Sequence, residues 1–166
     1  MVFIYIKVLE MIEWKTDDLF NSKCNVWVNT VNCEGVMGKG IALEFKKRFP
    51  KLFKEYQKWC ERGDLKEGGD WIMWQNKDNM NEIFQDPIPP QFIICFATKE
   101  SWRNKSKIEW IERGLKYIAE YPWSRNTSIA FPKLGCNNGG LDWITQIKPL
   151  MIKYLEPLEI KCEIYV

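Results

Sequence analysis

Short apolar runs alternate along this chain with amphipathic stretches of helical period. Ile4 to Leu9 and Met11 to Trp14 read as two short strands. Val26-Trp27-Val28, Phe92 to Ala97 and Ser128 to Phe131 are nearly continuous apolar runs, the pattern of strands buried on both faces. Between them the period changes. Ile41, Ala42, Phe45 and Phe49 share one face of a helix while Glu44, Lys46, Lys47 and Arg48 share the other. Ile108, Ile111, Leu115 and Ile118 make a second stripe, and Ile144, Ile147, Met151 and Leu155 a third. Pro50 starts a further helix that runs to about Gly63. Gly68-Gly69 and the run from Asp86 to Pro90 are turns flanking Trp71 to Trp74, another strand, and Ile160 to Val166 is the last. Strand and helix alternate, which predicts an α/β fold with a largely parallel central sheet, formed by residues 1–166 as one domain.

Composition narrows the chemistry more than charge does. With 46% apolar and 28% charged residues, the 166-residue chain is long enough to bury a real core, and its net charge of +2 permits a nucleic-acid partner without signalling one. The apolar N-terminus is interrupted by Lys7, Glu10 and Glu13, so it is expected neither to span a membrane nor to act as a signal peptide; a cytoplasmic protein without a membrane partner is expected. Six cysteines are scattered without a C-x-x-C pair and read as reduced thiols. Histidine is absent. That removes every mechanism built on an imidazole, so an acid, base or nucleophile must be a carboxylate, Lys, Cys or Tyr. With no histidine and no ligand spacing among the cysteines, no metal site and no cofactor are expected.

In open α/β sheets, ligands bind beyond the carboxyl ends of the strands. Three loops leave apolar strands in that direction and enter helices: Asn29 to Gly40, Lys99 to Lys107, and Lys133 to Leu141. The first and third carry VNCEGVMGKG and PKLGCNNGG. Glycine lets backbone N–H groups approach an anion closely, and a helix N-terminus adds partial positive charge. Two such loops on one edge suit a diphosphate. Neither common phosphate motif is present: Lys39 is followed by Gly40 rather than Ser or Thr, and the glycine order reverses that of a dinucleotide fold.

Three motifs in order, VNTVNCEGVMGKGIALEFKKRFP, TKESWRNKS and PKLGCNNGGLDW, resemble the macrodomain family over essentially the whole chain. The resemblance is to the branch that holds DarG-like DNA ADP-ribosyl glycohydrolases and the terminal ADP-ribose protein glycohydrolase. It implies a three-layer α/β/α sandwich with a mixed, largely parallel sheet, binding ADP-ribose across its crest. On it, Asp18 matches the aspartate that accepts from the adenine amino group, with Asp17 where a glycine is usual. Asn29 and Asn32 match asparagines near the distal ribose. Gly35, Val36, Met37, Gly38 and Gly40 would line the first phosphate loop, and Gly135, Cys136, Asn137, Asn138, Gly139, Gly140 and Leu141 the second.

By composition alone Lys105 is a solvated lysine before a helix; the resemblance implies that it is catalytic, with Asn32 beside it and Lys107 dispensable. The protein glycohydrolase pairs its lysine with an aspartate in the second loop, where this chain has Gly139. Asp142, three residues on, reads as a helix cap. That difference favours ADP-ribosylated single-stranded DNA as substrate and a DNA ADP-ribosyltransferase toxin as partner. Hydrolysis of ADP-ribose-1″-phosphate, removal of ADP-ribose from glutamate and binding without turnover stay open as alternatives. Related antitoxins carry a further toxin-binding domain, so the chain is expected to be either part of a longer protein or a stand-alone enzyme. Trp102 is a candidate for stacking on a base.

Overall fold

The computed structural model describes residues 11–78 and 88–166. The strand expected over Ile4 to Leu9, and the start of the turn expected over Asp86 to Pro90, lie outside those residues. The elements are β1 (Ile12–Lys15), β2 (Val26–Val31), α1 (Gly40–Arg48), α2 (Pro50–Arg62), β3 (Trp71–Gln75), β4 (Phe92–Ala97), α3 (Ile108–Glu120), β5 (Ser128–Phe131), α4 (Lys148–Leu155) and β6 (Lys161–Tyr165). Each expected strand within the described residues is present; the ends agree within one residue, except that β2 runs three residues beyond the expected Val26 to Val28.

The six strands form one sheet in the order β1-β6-β5-β2-β4-β3. All neighbours run parallel except the β3–β4 pair, in which Met73 lies opposite Ile94. Two apolar layers close on the sheet. Phe45 of α1 and Leu52, Tyr56 and Trp59 of α2 pack with Trp27, Ile93 and Cys95. Ile111, Leu115 and Ile118 of α3 and Met151 and Leu155 of α4 pack on the opposite face with Val28, Ile94 and Phe96. Because both faces are covered, the central strands are largely apolar, β4 at every position and β2 from Val26 to Val28. Gly114 allows α3 to press directly on the Phe96 ring, where any Cβ would collide.

One expectation is corrected. Ile144 does not continue the buried stripe of Ile147, Met151 and Leu155: it is 65% exposed. Residues Trp143–Ile147 form a π-helical turn, closed by the Ile147 N–H on the Asp142 carbonyl at 3.1 Å. A wider turn changes the angular spacing before α4 begins, and Ile144 falls out of phase. Asp142 caps this turn, its carboxylate accepting from the Thr145 N–H at 2.7 Å, as expected.

The topology positions the site. β2 leads into the α1/α2 layer, whereas its neighbours β4 and β5 lead into the α3/α4 layer. Connections leaving adjacent parallel strands for opposite faces open a crevice at the carboxyl ends.

Candidate ADP-ribose cleft

A cleft of about 690 Å³ occupies that crevice. The three loops expected to converge all line it: residues 30–42 at the end of β2, 98–105 after β4, and 132–139 after β5.

The first loop is organised by Asn32. Its Oδ1 accepts from the N–H of Glu34 at 2.9 Å and of Val36 at 3.4 Å, and its Nδ2 donates to the Val36 carbonyl at 2.8 Å. The buried Tyr56 hydroxyl of α2 reaches both Oδ1 and the Asn32 carbonyl at 2.8 Å. Asn32 is therefore a brace for the loop, with one amide hydrogen left to face the cleft. Gly35 turns the chain at φ +79°, in the left-handed region. The loop ends at an uncapped helix: Lys39, the N-cap of α1, makes no side-chain cap hydrogen bond. Gly38, Lys39, Gly40 and Ile41 all line the cleft, so the first N–H groups of α1 face it with their partial positive charge.

The second loop lies against the first. Gly40 and Asn138 meet so closely that a methyl group on Gly40 would stand 3.1 Å from Asn138 Nδ2. Among the described residues, the N–H groups of Asn137, Asn138 and Gly139 have no intramolecular acceptor. The Gly139 carbonyl accepts from the Ser106 N–H at 3.0 Å, and a Cβ on Gly139 would collide with the Gly135 carbonyl and Ser106 Oγ. The loop thus has no room for the aspartate of the protein glycohydrolase pattern.

The middle loop supplies the cations. Lys99 Nζ donates to the Asn138 carbonyl at 2.7 Å, and burial, with a lesser contribution from Lys39, holds it below the usual lysine value. Lys105 is exposed and lies along Gly140, and among the described residues its Nζ has no hydrogen-bond or ion-pair partner. Arg103 stacks on the Trp102 ring at 4.7 Å. Lys107 is turned away, over Trp110 at 4.9 Å. In all, Lys39, Lys99, Arg103, Lys105 and Lys133 line the cleft, with no carboxylate among the lining residues.

Other acid–base groups are withdrawn. Burial pushes the thiols of Cys33 and Cys136 up to about 12 and about 11, and raises the Tyr56 hydroxyl as well. Of the four residue classes open to a histidine-free chain, only lysine and Cys136 line the cleft, and burial holds that thiol up at about 11.

Several predicted site residues stand elsewhere. Asn29 and Met37 are buried behind the lining, the Asn29 amide donating to Met37 Sδ at 3.9 Å, so Asn29 supports the loop from below. Gly35, Gly140 and Leu141 shape the loops without lining the cleft. Asp18 is exposed outside the lining and caps a short 3₁₀ turn through the Phe20 N–H at 3.0 Å. Val36, Gly38, Gly40, Gly135, Cys136, Asn137, Asn138 and Gly139 are all in the lining, with Asn32 and Lys105. Sequence reasoning missed Lys99 as a strut between loops; its signal was a lysine two residues after the end of the buried strand β4.

The macro domain profile matches residues 28–148. A protein from Mycobacterium tuberculosis named DNA ADP-ribosyl glycohydrolase is 41% identical over 134 residues, which are 80% of this chain and 36% of that protein. One of the same name from Thermus aquaticus is 38% identical over 150 residues, 90% of this chain and 39% of its own. The chain thus spans little more than a third of these relatives. The solved macrodomain of Thermus aquaticus DarG superposes with a TM-score of 0.81 at 34% identity, covering 93% of this chain and 97% of that one. Thermosipho africanus DarTG, solved in complex with ADP-ribose, superposes at 0.83 and 34% identity, covering 93% of this chain and 41% of that one. The sheet order, the paired glycine loops and these matches agree: the chain belongs to the macro domain family, and the DarG macrodomains are among its similar members.

Proposed function

We propose that this chain binds ADP-ribose along the cleft and hydrolyses the N-glycosidic bond joining ADP-ribose to a nucleobase in DNA, reversing a modification made by a partner ADP-ribosyltransferase in the cytoplasm. The observation that carries the reading is the unengaged Lys105 side chain lying along the second glycine loop, in a cleft without a carboxylate. The Thermosipho africanus relative, named a fusion of DNA ADP-ribosyl transferase and DNA ADP-ribosyl glycohydrolase, supports the pairing with a transferase. The six free thiols suit a reducing compartment.

The diphosphate would rest on the N-terminus of α1 and on the open N–H groups of Asn137 to Gly139, which are rigid donors already aimed at an anion. This sets the distal ribose towards Lys105. Breaking the C1″–N bond builds oxocarbenium character on the ribose and negative charge on the departing base. The Lys105 ammonium delivers a proton to that base as it leaves, water adds to C1″, and the proton from water returns to the lysine. Gly139 supports a nucleobase substrate over a glutamyl ester, because the carboxylate used by the protein glycohydrolase has no place here.

The test is release of free ADP-ribose from single-stranded DNA carrying it on thymine. Lys105→Ala should lower the rate by about 10²-fold or more while ADP-ribose binding persists, and Lys107→Ala should stay near wild type. Release untouched by Lys105→Ala would sink the mechanism. Binding without release by the wild type would mark a reader, and phosphate release from ADP-ribose-1″-phosphate would mark a phosphatase.

A further inference from the structure

We propose that Trp102 and Arg103 form a separate subsite that holds an unpaired base of the DNA strand next to the ADP-ribosylated nucleotide. The inference rests on the function proposed above and concerns how the substrate beyond ADP-ribose is recognised.

Trp102 is a large indole left 48% exposed at the cleft wall. Its backbone is nonetheless held. Its backbone N–H donates to Glu34 Oε2 at 3.3 Å, tying the middle loop to the first glycine loop. The Arg103 backbone N–H is held in turn by Ser101 Oγ at 3.3 Å. The Arg103 guanidinium covers one face of the indole at 4.7 Å, yet nearly half of Trp102 stays open. A pre-ordered aromatic with a cation on one face is a stacking platform for a nucleobase, which presents a π-face whatever its identity.

Position selects the ligand. The diphosphate has its donors on the two glycine loops, and Trp102 belongs to neither. It precedes Lys105 by three residues on the same loop, and both residues line the cleft. Charge agrees. Five cations line a cleft with no carboxylate, in a chain whose net charge is only +2. A diphosphate brings two negative charges; the excess suits the further phosphates of a strand. The base must be unpaired, since a stacked duplex base offers no free face, so the partner is single-stranded DNA.

The experiment measures binding to Lys105→Ala, which keeps the ligand intact. Two ligands are compared: ADP-ribosylated thymidine, and a short single-stranded oligonucleotide carrying the same modification on an internal thymine. The oligonucleotide should bind about tenfold more tightly. Adding Trp102→Ala should bring the ratio to near one, and Trp102→Phe should keep most of it. Equal affinity for the two ligands in the parent protein overturns the subsite. So does an equal weakening of both by Trp102→Ala, which would place the indole on ADP-ribose itself. Failure of the glycohydrolase reading is seen separately, as absent ADP-ribose release by the wild type, because the binding ratio is read without turnover.

Discussion

Lys105 lies along Gly140, so that a methyl group on that glycine would stand 3.3 Å from Lys105 Cδ and 3.6 Å from Cε. The aliphatic stem of the proposed proton donor is thus supported by the backbone of the second glycine loop. Lys105 also lines the cleft.

Gly140→Ala should disturb this support. At φ +76° an L-residue costs about 1 to 2 kcal/mol, and the added methyl crowds the lysine stem. Thermal melting should fall by a few degrees. ADP-ribose release should slow by more than ADP-ribose binding weakens, measured as kcat against Kd. An unchanged kcat would show that Lys105 needs no such support.

Gly139→Asp would copy the pattern of the protein glycohydrolase. Here it should fail as a gain of function, because the Cβ collides with the Gly135 carbonyl and Ser106 Oγ. The expected result is a loss of about 2 to 3 kcal/mol in denaturant unfolding. No release of ADP-ribose from glutamate should appear. A stable variant with that activity would contradict the packing argument.

Tyr56→Phe removes a hydroxyl that lies 2.8 Å from both oxygens of Asn32 without touching the cleft. Stability should drop by about 1 kcal/mol and ADP-ribose should bind several-fold more weakly, through loosening of the first loop. Calorimetric titration would measure it. Unaltered affinity would mean that the loop keeps its shape without the tyrosine.

Glu163 gives the fold an acid limit. Burial opposes its ionisation, but hydrogen bonds from Tyr165 at 2.6 Å, Ser22 at 2.8 Å and the Lys161 ammonium outweigh it and hold the carboxyl below the usual glutamate value. A depressed folded value means that its stabilisation is present above the unfolded value of roughly 4.3 and is lost as pH falls through the folded one. Glu163→Gln should therefore unfold more easily at neutral pH, with a shallower loss of stability below about pH 4.3. Parallel stability curves for the two proteins would exclude Glu163 as the source.

The fold was legible because its strands are buried on both faces. Val26 to Val28 and Phe92 to Ala97 need no partner to be recognised as central strands, and the stripes of α1 and α3 name the faces that cover them. Ile144 misled for a local reason: a π-helical turn keeps the spacing of a helix in sequence while altering its phase in space. The loops were legible as loops that converge on one cleft, since each leaves a buried strand in the same direction. Their division of labour was not. Asn29 and Asn32 occupy similar sequence contexts three residues apart, yet one is buried beneath the loop and the other braces it.

What the amino-acid sequence determined by itself is the alternation of buried strands with amphipathic helices, the absence of histidine, and the glycine-rich exits from β2 and β5. These are local properties of composition and period. Tertiary structure alone decided which residues share the cleft: the parallel order β5-β2-β4 stacks three exits side by side, bringing Asn32, Lys105 and Asn138 to one crevice across large separations in sequence. It also decided that Lys99 is spent on the Asn138 carbonyl while Lys105 has no partner among the described residues, because hydrogen-bond partners are set by proximity in space and every lysine in the sequence carries the same amine.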